Sequence, residues 1–133
     1  MIVADVNLIV YLIMGGPDGV HAQRILRHDP VWCAPLLWRS EFRNVLAAYI
    51  RQRDLDIADA WRAHQLAGEL LAGREYTVSG EQVLGLIAAS KCSAYDCEYV
   101  ALADELDVPL VTADRELLRA FPGQTVSIRE FAA

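Results

Sequence analysis

Hydrophobic positions along the chain gather into short continuous runs set between longer amphipathic ones. "MIVA" (1–4) is apolar throughout and stops at Asp5. "VPLV" (108–111) does the same and reaches Asp114 through Thr112 and Ala113. Short apolar runs without alternation predict strands buried on both faces. Strands are expected at 1–5, 30–35, 108–113 and 124–128, with "REYTVS" (74–79) a short strand or loop. "NLIVYLIM" (7–14) predicts a short helix against the core, and "GGPDG" (15–19) a turn before a helix over 20–28. Two long helices follow, over 36–53 and 56–72, joined at "RDLD". Further helices are expected over 80–91, 93–106 and 114–121. Strands alternating with helices in this way predict an α/β fold with a parallel sheet covered on both faces. Such sheets place their sites at the carboxyl ends of strands, where strand order reverses. If the first and fourth strands are neighbours, Asp5 and Asp114 can face each other.

Helical periodicity sorts the remaining acids. Over 36–53, Trp38, Phe42, Val45 and Tyr49 share one face. Glu41 falls roughly 60° from the middle of that stripe, on its margin, with Asn44 one turn on. Arg39 and Arg43 project to the other side. Over 93–106, Tyr99, Val100, Ala103 and Leu106 form the stripe, and Asp96 lies within it. Glu98, Asp104 and Glu105 point mostly away. Each acid has a purely structural reading. Glu41 can be a paired surface residue, and "SAYD" fits a capping box with Ser93 as N-cap. Asp114 and Asp5 can each cap the helix that follows. The other reading brings Asp5, Glu41, Asp96 and Asp114 together. Four close carboxylates repel, and burial raises their pKa values. A divalent cation removes that conflict, and oxygen donors without His or Cys suit a hard ion, Mg2+ or Mn2+. Such a centre acts on phosphate esters.

Composition narrows the setting. The 133 residues are expected to form a single domain, and an apolar fraction of 54% suits a globular chain. No run reaches the ~18 apolar residues of a membrane span, and no secretory pattern opens the chain. Three cysteines, an odd number in a domain of ordinary size, suit a reducing cytosol, so a cytoplasmic protein is expected. The spacing from Cys92 to Cys97 is not that of a zinc site. The net charge of −6 argues against bulk attraction to nucleic acid. It leaves room for local contact through arginines or a metal ion. His21, His28 and His64 read as surface residues. Trp32, Trp38 and Trp61 read as core or interface, with Trp38 and Tyr49 available to a dimer contact.

"IVADVN" at the start, "RSEFRNVL" in the third helix, "SAYDCEYVALADELDVPLVTAD" and a short final strand together resemble the PIN domain. More narrowly, they resemble ribonuclease toxins of VapC type from prokaryotic toxin–antitoxin pairs. The resemblance spans essentially the whole chain. It implies a three-layer α/β/α sandwich with a central parallel sheet. It implies a Mg2+- or Mn2+-dependent endoribonuclease, homodimeric and inhibited by a small antitoxin covering the active site. By position, Asp5, Glu41, Asp96 and Asp114 would be metal ligands or hold metal-bound water. Asn7 and Thr112 match the small polar positions that hydrogen-bond around the acids. Val6 departs from the pattern, which commonly has a small hydroxyl residue there. Glu98 stands where some relatives carry another acid, but its helix angle makes it peripheral. No side chain is an obvious general base, so water activation would fall to the metal. The RNA would be single-stranded or looped. Arg39, Arg43, Arg51 and Arg53 either help hold it or solvate an outer face.

Two rival readings are weaker. "DVN" after a first strand resembles the aspartyl-phosphate phosphatases, but those use D-x-D, and Asn7 replaces the second Asp. They also need a Lys near the later acids, and Lys91 is the only one. A catalytically inactive PIN-like module that binds RNA or a partner would be expected to have lost a ligand position, and all four acids are present.

Overall fold

In a computed structural model describing residues 1–133, every residue of the three central strands is buried. These are β1 (Ile2–Ala4), β2 (Trp32–Pro35) and β4 (Leu110–Thr112). β3 (Glu75–Tyr76) and β5 (Thr125–Ser127) complete a five-stranded sheet in the order β3-β2-β1-β4-β5. All four pairings are parallel. Val3 pairs with Cys33 on one side and Leu110 on the other, and Ala4 with Val111. Strand order therefore reverses between β1 and β4, the two strands that end on aspartates. That is the point at which parallel sheets open a crevice.

The helices are α1 (Val6–Met14), α2 (Gly19–His28), α3 (Trp38–Gln52), α4 (Ile57–Leu70), α5 (Gly80–Ala88), α6 (Ala94–Leu106), α7 (Arg115–Ala120) and α8 (Ile128–Ala132). α1 packs with α2, α3 and α4, and α2 with α8, while α6 packs with α5 and lies across β1, β2 and β4. The parallel sheet covered on both faces that the pattern predicts, and the three-layer α/β/α arrangement that the resemblance implies, are present. One cluster of 31 buried hydrophobic residues runs through it, with Trp32, Trp38, Tyr99 and Phe42 its largest side chains. No helix is long and apolar enough to cross a membrane.

Side-chain caps fix where several helices begin. Asp5, Asp56, Ser79, Ser93, Asp114 and Ser127 each accept a bond from a backbone N–H of the first turn. Each satisfies a donor that the helix itself leaves unpaired. The "RDLD" break between α3 and α4 is made by Asp54, whose φ of 52° ends the helical path.

Four expectations need correction. The buried face of α3 is Trp38, Phe42 and Leu46; Val45 and Tyr49 are half-buried. α4 packs alongside α3 and draws the buried face round towards itself, a rotation that periodicity within one helix does not reveal. Trp38 is fully buried within the protomer, so it is not available to a dimer contact. His64 is no simple surface residue: its ring stacks 6.0 Å from Trp38 and 5.9 Å from Trp61. The chain also ends in a helix, α8, not predicted from the pattern. Its signal was present, since Ser127 and Glu130 have the spacing of a capping box, and Ser127 accepts from the Glu130 N–H at 3.2 Å.

Candidate active site

Asp5 follows β1 directly and caps α1, and it is only 4% exposed. Its Oδ1 accepts from the Val6 N–H at 2.8 Å. The backbone thus supplies a bond at Val6, where the side chain has no hydroxyl to give. Oδ2 accepts from the Thr112 hydroxyl at 2.5 Å and from the Asn7 amide at 3.3 Å. Thr112, the last residue of β4, is fully buried. Its oxygen in turn accepts from the Asp114 N–H at 3.0 Å. Asn7 also accepts from the Ala113 N–H at 3.4 Å. Thr112 and Asn7 therefore tie the end of β1 to the end of β4.

Asp114 caps α7 through one oxygen only. Oδ1 accepts from Glu116 and Leu117 N–H at 2.8 and 3.3 Å, leaving Oδ2 available. Ser93 accepts from the Asp96 N–H at 3.1 Å, but Asp96 returns no bond to the Ser93 N–H, so the capping box is half made. Glu41 is half-buried, and its Oε1 accepts from the Tyr99 hydroxyl at 2.7 Å.

Burial, with smaller contributions from neighbouring acids, raises Asp5, Glu41 and Asp96. Burial pushes Asp5 up to about 6; the bonds from Thr112 and Val6 oppose this, and the charges of Asp96 and Glu41 add to it. Glu41 is raised, first by burial and also by Asp96 and Glu98, against the lowering effect of Tyr99. Asp96 is raised, first by burial and then by Asp114 and Glu116. The structure therefore brings Asp5, Glu41, Asp96 and Asp114 into one electrostatic neighbourhood. Glu98 and Glu116 stand at its edge.

No three His, Cys, Asp or Glu side chains stand close enough to hold a metal ion by themselves. Unscreened carboxylates are expected to stay apart, because like charges at close range are costly. The donor set still fits a hard cation that keeps several of its own waters, as Mg2+ does. It consists of carboxylate oxygens, three of them with raised pKa values, at the switch point of the sheet.

A family model of the PIN domain matches residues 2–121. The chain belongs to the PIN-domain family. Solved structures share its fold. PAE2754 from Pyrobaculum aerophilum is 20% identical over 98% of this chain and 92% of that one, with a TM-score of 0.78. FitAcB from Neisseria gonorrhoeae is 17% identical, covering 97% and 99%, with a TM-score of 0.76. A toxin–antitoxin complex from Klebsiella pneumoniae is 17% identical, covering 96% and 98%, with a TM-score of 0.69. No curated protein matches the chain in sequence.

One contributor to this PIN domain's acidic crevice was missed in the sequence. Tyr99 sits on the apolar stripe of α6 and reads there as core, which it is, at 1% exposed. Its hydroxyl nevertheless reaches Glu41. Burial and the Glu41 charge hold the phenol well above its usual range, so it remains a donor. The usable signal was its position one turn beyond Asp96 on the same helix. The arginines divide differently from the expected run. Arg39 pairs with Glu75 through two bonds of 2.5 and 2.6 Å. Arg43 lies 3.4 Å from His64, and Arg53 lies over the Tyr49 ring.

Thr112→Val keeps the shape of the side chain but removes both bonds at its oxygen. Asp5 loses its hydroxyl donor and the Asp114 N–H its acceptor. The expected cost is about 1–3 kcal/mol, read from urea denaturation. Thr112→Ser is expected to recover most of it. Equal stability of the Val variant and wild type would show that the bridge between β1 and β4 carries no weight.

Proposed function

We infer that this PIN domain is a divalent-metal-dependent endoribonuclease, the toxin of a toxin–antitoxin pair of VapC type. The observation that carries the reading is a buried Asp5 held by Thr112 across the β1–β4 switch point, with Glu41 and Asp96 near enough to add to the raising that burial causes. Asp5, Glu41, Asp96 and Asp114 would hold Mg2+ or Mn2+. When bound, the ion supplies the positive charge that activates water and stabilises a phosphodiester undergoing in-line attack.

The chain's own residues prepare for that charge. Thr112 and Asn7 hold Asp5 in one orientation, and Tyr99 does the same for Glu41. Asp114 keeps one oxygen on its helix and offers the other. Side chains held in this way lose less freedom when a cation draws the carboxylates together. The net charge of −6 repels free RNA, so productive binding also depends on the ion. An antitoxin partner is supported by the likeness to the toxin–antitoxin complex and to FitAB, which was solved bound to an IR36 DNA fragment. A homodimer is part of the same reading.

Incubation of purified protein with a structured RNA tests it. Cleavage is expected with Mg2+ or Mn2+ and none with EDTA, leaving 5′-phosphate and 3′-hydroxyl ends. Undiminished cleavage in EDTA, or 2′,3′-cyclic phosphate ends, would overturn the proposal, because the latter arise from the RNA's own hydroxyl.

A further inference from the structure

Beside Glu41 opens a groove of about 450 Å3 between α3 and the first turn of α6. Leu37, Val45, Ser40, Asn44 and Tyr95 line it, with Glu41 at its edge. Its character differs from that of the acidic crevice it adjoins. Glu41 is its one charged lining residue, and Val6, Leu37 and Val45 give it aliphatic walls. Tyr95 is 63% exposed, an unusual position for an aromatic ring with nothing packed over it. It is also the residue immediately before Asp96. Of the lining side chains, only Glu41 makes a hydrogen bond within the protein, to Tyr99. The Ser40 hydroxyl, the Asn44 amide and the Tyr95 phenol are therefore unengaged.

We propose that this groove is a nucleobase subsite that receives one unpaired base next to the scissile phosphate. The inference rests on the nuclease reading of the neighbouring acids and names what selects the RNA there. A base is flat, uncharged and aromatic, so it suits a groove that offers an exposed ring and aliphatic walls. A phosphate does not suit it, because Glu41 lines it and no cation does. Base stacking on an aromatic side chain is the usual way single strands are held. The volume exceeds that of one base and accommodates part of its sugar. Asn44 carries both a donor and an acceptor, the combination needed to read a base edge. Ser40 adds a second group on the same helix, one turn away. Because the groove shares Glu41 with the acids, a base seated there lies within one nucleotide of the reacting phosphate. Only unpaired RNA can present a base in this way, which gives a physical reason for preferring loops and single strands.

The test uses fluorescein-labelled single-stranded RNA 8-mers of each base and an abasic 8-mer. Binding is read by anisotropy in Ca2+ without turnover, and cleavage by kcat and KM in Mg2+. Wild type is expected to bind at least one base-bearing 8-mer roughly 5- to 100-fold more tightly than the abasic one. Tyr95→Ala is expected to remove that difference, Tyr95→Phe to keep it, and Asn44→Ala to change the ranking of bases while leaving abasic binding alone. Tyr95 is exposed, so these variants should fold, and melting curves confirm it. Equal binding of abasic and base-bearing RNA by wild type would overturn the subsite while metal-dependent cleavage stood. So would a Tyr95→Ala variant with wild-type affinity and KM. Base-dependent binding lost in Tyr95→Ala, with no cleavage under any metal, would support the subsite and sink the nuclease reading alone.

Discussion

Asp5→Asn is expected to lower RNA cleavage on the order of a thousandfold while making the metal-free protein more stable. The two effects share one cause. Asp5 is buried and held at about 6, against 3.8 for the free side chain, mainly by burial. A carboxyl raised in the folded state adds stability that is fully present below the unfolded value. That stability is lost as pH rises through the folded one. At pH 7 the native state therefore carries a charge it disfavours, a penalty of roughly 2–3 kcal/mol. Asn removes the charge and keeps an oxygen that can accept the Val6 N–H. It also forfeits some of the charge-assisted bonding to Thr112, so the net gain is about 1–2 kcal/mol. For a chain of this size that raises the melting temperature by roughly 3–8 °C. The wild-type protein without metal should likewise gain stability as pH falls from 7 towards 5, and the Asn variant should gain less. A variant that is both inactive and less stable than wild type would show that the buried charge is compensated within the chain.

Trp38→Ala is the largest structural loss expected. Trp38 is fully buried, its indole N–H donates to Glu75 at 2.7 Å, and its ring meets Phe42 edge-on at 5.9 Å. His64 stacks on it from α4. Truncation removes all of these and leaves a cavity, at about 3–5 kcal/mol. The Arg39–Glu75 pair survives but adds little, because Arg39 is about half exposed. Trp38→Phe retains most of the packing and forfeits the bond to Glu75, for about 1–2 kcal/mol. Urea denaturation distinguishes the two. Glu41 lies one turn further along α3, so Trp38→Ala should also weaken cleavage, whereas Trp38→Phe should leave it near wild type. An Ala variant as stable as wild type would mean that α3 is anchored elsewhere.

What could be read from the chain alone depended on whether a signal was local. Asp5 and Asp114 were legible because an apolar run that stops on a carboxylate is visible within six residues. Glu41 was legible from its angle on one helix. Thr112 and Asn7 came from the resemblance, and their geometry gives the reason: they bond between the ends of strands far apart in sequence. Tyr99 was not legible as part of the site. A phenol on an apolar stripe looks like core until its partner, 58 residues away, is known. Leu46 was missed for a similar reason, since the buried face of α3 is set by α4 as well as by the sheet. α8 was missed although its capping pattern is local, because the final strand was read through Ser127 into the helix that follows.

The central claim is that the four carboxylates form one cation site. Calorimetric titration of Mn2+ into the metal-free protein at pH 6, in two buffers of different ionisation enthalpy, tests it most directly. Saturable binding is predicted, with release of part of a proton as the raised carboxylates ionise, and at least tenfold weaker binding in Asp5→Asn. Binding of equal strength in wild type and Asp5→Asn, or no binding at millimolar Mn2+, would contradict it.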